Sequence, residues 1–361
     1  MLREDHTTGK QKSIRFNLLI LNDRDYSSGF GGQASFINNL HPFLNEEFTL
    51  KYLILSEGLQ KQKFIPVRLL YLLKVLFFMI RRKNNYDCII SHTPEASFAV
   101  SFFRTPFIHI FHGNANPLSM STFWYGKYFK WIFNLFEARI SGKARLLYTV
   151  GEFRKDAGKI YTPISFRPER ILTFSERKDF VFSGRLESVK NIDIIISRYN
   201  MLPENIKSQN KLHIIGTGSR EENLKMLAGE LNLQEQVVFH GLIKNETVID
   251  IMRHSLIILM ASTFEGFPMA IAESLTVGTP VVSTNVGDIQ SVIKDGYNGF
   301  FLENKCTPEE FNEKIIKILA DYEHFSANAV RSSSVFNAAE IAGALISACN
   351  QILTYQSRTS L

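Results

Sequence analysis

Cysteine is scarce. The 361 residues hold three, Cys88, Cys306 and Cys349. An odd, widely spaced set excludes a disulfide framework and offers no metal-ligand spacing; it fits a reducing compartment. Long apolar runs are missing as well. The longest, Leu69 to Ile80, is interrupted by Lys74 and falls short of the ~20 residues that a spanning helix needs. The polar start, Met1-Leu-Arg-Glu-Asp-His6, lacks the pattern of a signal peptide. Repeats and low-complexity segments are absent too. These absences predict a cytoplasmic protein without a membrane span.

What is present is the make-up of a globular chain, 45% hydrophobic and 21% charged, long enough for two domains. The net charge of +6 is unevenly spread. Met1 to Phe174 carry 24 Lys+Arg against 13 Asp+Glu, or +11, and the remainder carry 17 against 22, or −5. A basic half suggests that one domain faces an anionic partner. No feature points to nucleic acid.

Apolar strands alternate with helical stretches, the pattern of an α/β chain with parallel sheets. Ile14–Leu21 reads as a strand, Asn22–Gln33 as a Gly-rich loop and Ala34–Leu44 as a helix whose frayed end Pro42 marks. Gly31 and Gly32 at that helix start would let backbone N–H groups approach a phosphate or acceptor, or would simply form a flexible turn. Further strands are expected at Lys51–Ser56, Asp87–His92, Pro106–Phe111 and Leu146–Val150, with an apolar helix over Pro66–Lys83. Thr122–Ile140 interleaves aromatics with Lys127, Lys130 and Arg139, which suits either a membrane interface or a helix packed on the sheet. Asp23-Arg24-Asp25 imitates a metal-binding Asp-x-Asp, but both aspartates can equally cap the loop. Pro163–Arg177, polar with two prolines, reads as the linker.

The second half opens with a strand at Asp179–Ser183 that runs into Gly184-Arg185-Leu186 and then Lys190. Two cations there could neutralise a diphosphate. Leu212–Gly218 is a strand ending in a second Gly-rich loop, Arg220–Leu231 a helix, and Gln236–Ile243 a strand and turn. Leu256–Met260 leads into Glu265-Gly266-Phe267-Pro268, followed eight positions after the first glutamate by Glu273. Pro268 suits the first turn of a helix over Met269–Val277, and Gly278 suits its stop. Helices are also expected at Pro308–Asp321 and Ala338–Tyr355.

The Glu-Gly-Phe-Pro and second Glu, with Gly-Arg-Leu and Lys before them, resemble the retaining glycosyltransferases of family 4. The resemblance implies a GT-B fold, two Rossmann-like domains facing across a cleft. It implies an N-terminal acceptor domain over 1–174, a nucleotide-sugar domain over 175–337, and a C-terminal helix over 338–361 that crosses back to the first. It implies that Arg185 and Lys190 hold the donor diphosphate with Gly31 and Gly32, and that Glu265 and His112 act at the donor sugar and phosphate. Glu273, Gly216 and Leu242 would meet the ribose and base, and Gly266, Phe267 and Pro268 the donor sugar. Gly151 departs from the family, which usually has Ser there.

The implied reaction is metal-independent transfer, with retention, from a UDP- or GDP-type nucleotide-diphosphate sugar to a glycan or lipid-linked acceptor in cell-surface polysaccharide or lipopolysaccharide synthesis. Neither a resident cofactor nor a metal is expected. The basic half adds the expectation of a peripheral site on the cytoplasmic face of a membrane. A GT-B sugar-nucleotide epimerase and a non-catalytic carbohydrate- or lipid-binding module are alternatives. A dinucleotide oxidoreductase is disfavoured, because Gly29-Phe-Gly31-Gly32 lacks the Gly-x-Gly-x-x-Gly spacing.

Overall fold

The computed structural model describes residues 15–23, 32–55, 66–82, 85–113, 130–151 and 154–359. Twelve strands among them form two six-stranded sheets. The first comprises β1 (Asn17–Leu21), β2 (Thr49–Leu53), β3 (Cys88–Ser91), β4 (Phe107–Phe111), β5 (Leu146–Val150) and β6 (Gly158–Ile160). Its order is β2-β1-β3-β4-β5-β6, parallel throughout. The second comprises β7 (Phe180–Ser183), β8 (Leu212–Ile215), β9 (Val237–Gly241), β10 (Ile257–Met260), β11 (Val281–Thr284) and β12 (Gly299–Leu302), in the order β12-β11-β10-β7-β8-β9, again parallel. Two parallel sheets with helices on both faces are the two Rossmann-like domains of the GT-B fold.

Parallel strands covered on both faces read as continuous apolar runs, and the register explains why. In β1, Leu18 and Ile20 face one core while Leu19 and Leu21 face the other. The first of these cores is shared with α1 (Gly32–Glu47), the second with α2 (Val67–Arg82), α3 (Pro94–Val100) and α4 (Lys130–Lys143). In β7, Phe180 and Phe182 pack against α5 (Ile192–Asn200), beyond which lies the short α6 (Glu204–Lys207), and against α7 (Glu221–Glu230). Val181 packs on the other side with α8 (Asn245–His254) and α9 (Met269–Thr276). The remaining helices are α10 (Pro308–Ala320), α11 (Tyr322–Ser332) and α12 (Ala338–Thr359).

Helix α12 does not stay with the second sheet. Its Ala342, Leu345, Cys349 and Leu353 are buried against Ile20, Phe36 and Ile90 of the first. The chain therefore crosses between sheets twice, and the crossings touch: Ile164 N–H donates to the Phe336 carbonyl at 2.7 Å, and Ala338 N–H to the Ile164 carbonyl at 3.2 Å.

Several expectations need correction. Pro42 lies inside α1, which runs on to Glu47. Burial of Leu40 and Leu44 holds the helix across the missing N–H. Pro268 caps α9 rather than occupying its first turn. Residues 163–177 do run between the two sheets, and they are packed along the way. Ile164, Leu172 and Arg177 are buried, and the Arg177 guanidinium donates to Thr279 Oγ1 and the Val277 carbonyl, both at 2.7 Å. The expected stop at Gly278 holds, with φ +76°. Strands β6 and β12 and helices α3, α5, α6, α8 and α11 were not expected from the sequence, whereas Val281 and Val282, just past Pro280, read as a buried strand and lie in β11. Of the aromatic segment, residues 122–129 lie outside the described residues, as do Arg24 and Asp25.

Candidate active site

In open parallel sheets, ligands bind beyond the carboxyl ends of the strands, where strand order reverses. In the second sheet that point lies between β7 and β10, and the loop from each carries a predicted site residue. The β7 loop places Arg185 exposed to solvent. It then makes a single 3-10 turn, Ser188–Lys190, and Asn191 follows at φ +46° to start α5. Asparagine tolerates this left-handed conformation better than most residues. The Asn191 side-chain amide donates to the Ala261 carbonyl at 3.0 Å, and Thr263 N–H donates to the Val189 carbonyl at 2.8 Å. These bonds stitch the β7 loop to the β10 loop.

The stitch brings the Lys190 ammonium onto Glu265 Oε1, which also accepts from the Ser262 hydroxyl at 2.7 Å. Both side chains of the ion pair are largely shielded from water. Behind them lies Gly287, at φ +65°. A Cβ there would come within 2.3 Å of the Gly266 carbonyl oxygen and 2.5 Å of that of Glu265. Asp288 N–H completes the support, donating to the Gly266 carbonyl at 3.2 Å. The β8 loop is as tightly seated: a Cβ on Gly216 would stand 2.0 Å from the Gly184 carbonyl oxygen. Only glycine permits this approach between the two loops.

In the first sheet the reversal lies between β1 and β3. His112 follows β4, and its main-chain carbonyl lies 3.3 Å from where a Cβ on Gly266 would be. The loops of the two domains thus meet at His112 and the Glu265 loop. The His112 ring is held from behind: its Nε2 lies 2.8 Å from His92 Nδ1, and the Phe36 ring meets it edge-on at 5.0 Å. Protein packed around His112 lowers its pKa to about 3, so the ring is neutral. Burial lowers that of His92 as well, followed by the neighbouring His112 and His109. The His92 carbonyl accepts from the Gln33 amide at 3.0 Å, tying the start of α1 to this cluster.

The other predicted residues are distributed as follows. Gly32 is the first residue of α1 and has open space around it; Gly31 lies outside the described residues. Leu242, just beyond β9, is strongly exposed. Glu273 sits in α9 and is buried; desolvation raises its pKa to about 7, against the opposing pull of a hydrogen bond with the Asn245 side chain. Phe267 turns its ring onto Phe336, with centroids 5.5 Å apart, and packs against the cores of both sheets. That ring belongs to the domain junction. Pro268 is buried behind it.

Sequence reasoning did not single out His92 for the site, nor Ser262, Asn191, Asn245 or Gly287. His92 left one signal, a strand-terminal histidine at the edge where ligands sit. The others act through tertiary contacts that carry no local pattern. No group of three or more His, Cys, Asp or Glu suited to a metal ion occurs among the described residues.

Residues 165–331 match the family model of glycosyl transferases group 1. The O-antigen biosynthesis glycosyltransferase WbnH of Escherichia coli is 25% identical over 336 residues, covering 86% of this chain and 93% of that protein. An uncharacterized glycosyltransferase of Methanocaldococcus jannaschii, MJ1607, is 28% identical over 148 residues; the match spans 41% of this chain and 37% of that protein. Among solved structures, Anabaena HepE in complex with UDP superposes with a TM-score of 0.68 at 16% identity, covering 94% of this chain and 100% of that one.

Proposed function

We propose, from the premise that the chain is a GT-B glycosyltransferase carrying a group 1 domain over residues 165–331, that it moves a sugar from a nucleotide-diphosphate sugar to a glycan or lipid-linked acceptor, with retention and without a metal. The observation that carries the reading is the Lys190–Glu265–Ser262 constellation at the reversal of the second sheet, with His112 facing it from the first. The reading also rests on the likeness to WbnH, an O-antigen biosynthesis glycosyltransferase, and to HepE, which was solved with UDP. A UDP-sugar and a surface-glycan acceptor, met at the cytoplasmic face of a membrane, follow as the preferred substrates.

The chemistry is mainly electrostatic. Departure of a nucleoside diphosphate builds negative charge on the leaving phosphate. Lys190 can shift from Glu265 to that phosphate, and Arg185 stands in the same loop, so the cations take up the growing charge. Glu265, released from the lysine but still holding the Ser262 hydroxyl, is then available to the donor sugar. A neutral His112 can donate or accept a hydrogen bond there without competing for the phosphate. Glu273 would take the ribose hydroxyls, since a carboxylate accepts two such bonds.

The test is transfer, and donor hydrolysis as a partial reaction, across UDP-, GDP- and ADP-sugars. Lys190→Ala and Glu265→Gln should each lower kcat/KM by roughly 10²–10³, the loss expected when one electrostatic contact to a transition state is removed. Full activity in both variants would move the reaction to another site. Interconversion of the nucleotide sugar with no acceptor present would favour an epimerase.

A further inference from the structure

We infer that the outer face of helices α2, α3 and α4 is the surface on which this protein sits on an anionic lipid bilayer. This rests on the proposal that the acceptor is met at a membrane, and it names the part of the molecule that reaches it. Helix α2 buries Tyr71, Val75 and Met79 toward the first sheet. Its opposite side is expected to be polar, yet it carries Leu69, Leu73, Phe77 and Ile80, exposed to 47, 50, 55 and 60%. The spacing of four, four and three keeps them in one stripe along the helix. An amphipathic surface helix has one apolar stripe; this one has two, and the second has no partner among the described residues.

The stripe continues across neighbouring helices. All three pack on the same face of the first sheet, with α3 in the middle. Phe102, just past α3, and Trp131 and Leu135 of α4 are each more than half exposed. Phe98 stacks on Phe136 with ring centroids 3.9 Å apart, fixing α3 against α4 beneath this surface. A contiguous apolar face of this kind marks an interaction site rather than ordinary surface.

Charge selects the partner. Arg81 and Arg82 end α2, Arg104 follows α3, and Lys143 closes α4, all exposed. These ends share one edge of the sheet, so the cations form a row beside the apolar band. Arg81 lies over the Phe77 ring at 3.8 Å, and Arg139 over Phe102 at 4.0 Å. The nearby carboxylates are engaged: Glu95 with Arg68, Glu137 with Arg154, and Asp87 with the Asn17 N–H. Apolar side chains beside unopposed cations suit a headgroup region carrying negative charge. The other end of α2 begins just beyond the carboxyl end of β2, the side on which ligands bind in such a sheet. A bilayer under α2 therefore lies beside the mouth of the site.

The experiment is sedimentation of the full chain with vesicles of phosphatidylcholine containing about 30% phosphatidylglycerol, and with phosphatidylcholine alone, at low and high NaCl. No nucleotide sugar is present, so the outcome stands or falls separately from the transferase assay. Wild type should pellet with the anionic vesicles and lose most of that binding at high salt. Leu73→Glu with Phe77→Glu should reduce binding about tenfold or more, with an unchanged thermal melt and unchanged donor hydrolysis. Arg81→Ser with Arg82→Ser should weaken binding at low salt only. Wild type left in the supernatant, or a Leu73→Glu/Phe77→Glu variant that pellets like wild type, would overturn the inference. So would a wild-type dimer that this variant converts to monomer, since a second copy would then cover the face.

Discussion

At the scale of single residues, two groups have protonation set by burial, and each makes a measurable difference. Glu273 titrates at about 7 in the fold, whereas an unfolded chain gives up that proton near ~4.3. Between these values the folded state holds the extra proton. Stability contributed by Glu273 is therefore complete below ~4.3, falls as pH rises toward 7, and is lost above. Glu273→Gln removes the loss, so the variant should be more stable at pH 8 by about 1–3 kcal/mol, read as a higher melting temperature, with no gain at pH 4. The same variant should bind nucleotide more weakly. In wild type, nucleotide affinity should rise with pH through about 7 as the carboxylate forms, with proton release visible by calorimetry in buffers of different ionisation heat. His112, lowered to about 3, contributes nothing to that limb. Its ring depends on His92, which acts by positioning and not by contact with substrate. His92→Phe should lower kcat about tenfold with little change in KM, and His92→Asn, whose amide can stand in for Nδ1, should recover part of the loss. An equal fall in both variants, tracking lost thermal stability, would reduce His92 to a packing residue.

At the scale of elements, the loops matter more than the helices that follow them. The Glu265 loop is fixed by the turn behind it, where Gly287 admits two carbonyl oxygens at distances no side chain allows. Gly287→Ala should displace Glu265 and lower kcat/KM at least tenfold, while the melting temperature shifts only a few degrees; a fully active variant would show that the loop holds its shape alone. Arg177 plays a comparable part for the crossing segment. It is buried, with its pKa lowered by desolvation, and donates to the carbonyl end of α9, where a cation meets the negative end of the helix. Arg177→Met should cost about 2–4 kcal/mol, because the acceptors it serves would be left buried and unpaired, checked by chemical denaturation. The sequence made these elements unevenly legible. Buried strands such as Phe107–Phe111 and Ile257–Met260 announced themselves as apolar runs. The Glu265 and Lys190 motifs stood in local order, and they were singled out by their resemblance to a family pattern rather than by their spacing alone. Helix α8 was missed because Lys244 and Asn245 give a weak start signal. Arg177 was read as part of a polar linker because its role depends on Val277 and Thr279, about a hundred residues away. The contact of the Phe267 ring with Phe336 was not legible, because no local pattern reports a partner some seventy residues away.

At the scale of the whole molecule, the two sheets are not independent bodies. The crossings at Ile164 and at Phe336–Ala338 hydrogen-bond to one another, so any opening of the cleft must pivot near that pair. Helix α12 supplies Leu345, Cys349 and Leu353 to the core of the first sheet. We propose domain limits of 1–174 and 175–337 with the final helix as a separate strap. Residues 1–174 expressed alone should then be poorly soluble and bind hydrophobic dyes, and residues 175–337 should melt cooperatively. A soluble 1–174 fragment with a sharp transition would show that the strap is dispensable. The strap also imposes an order on synthesis. One side of the first sheet has α1 but lacks its second covering helix until residue 353 has left the ribosome, while the second sheet has all its strands by residue 302. The half translated first is thus the half completed last, and a chain halted after residue 337 but before 353 carries a second sheet with its helices in place, joined to a first sheet still short of its final helix.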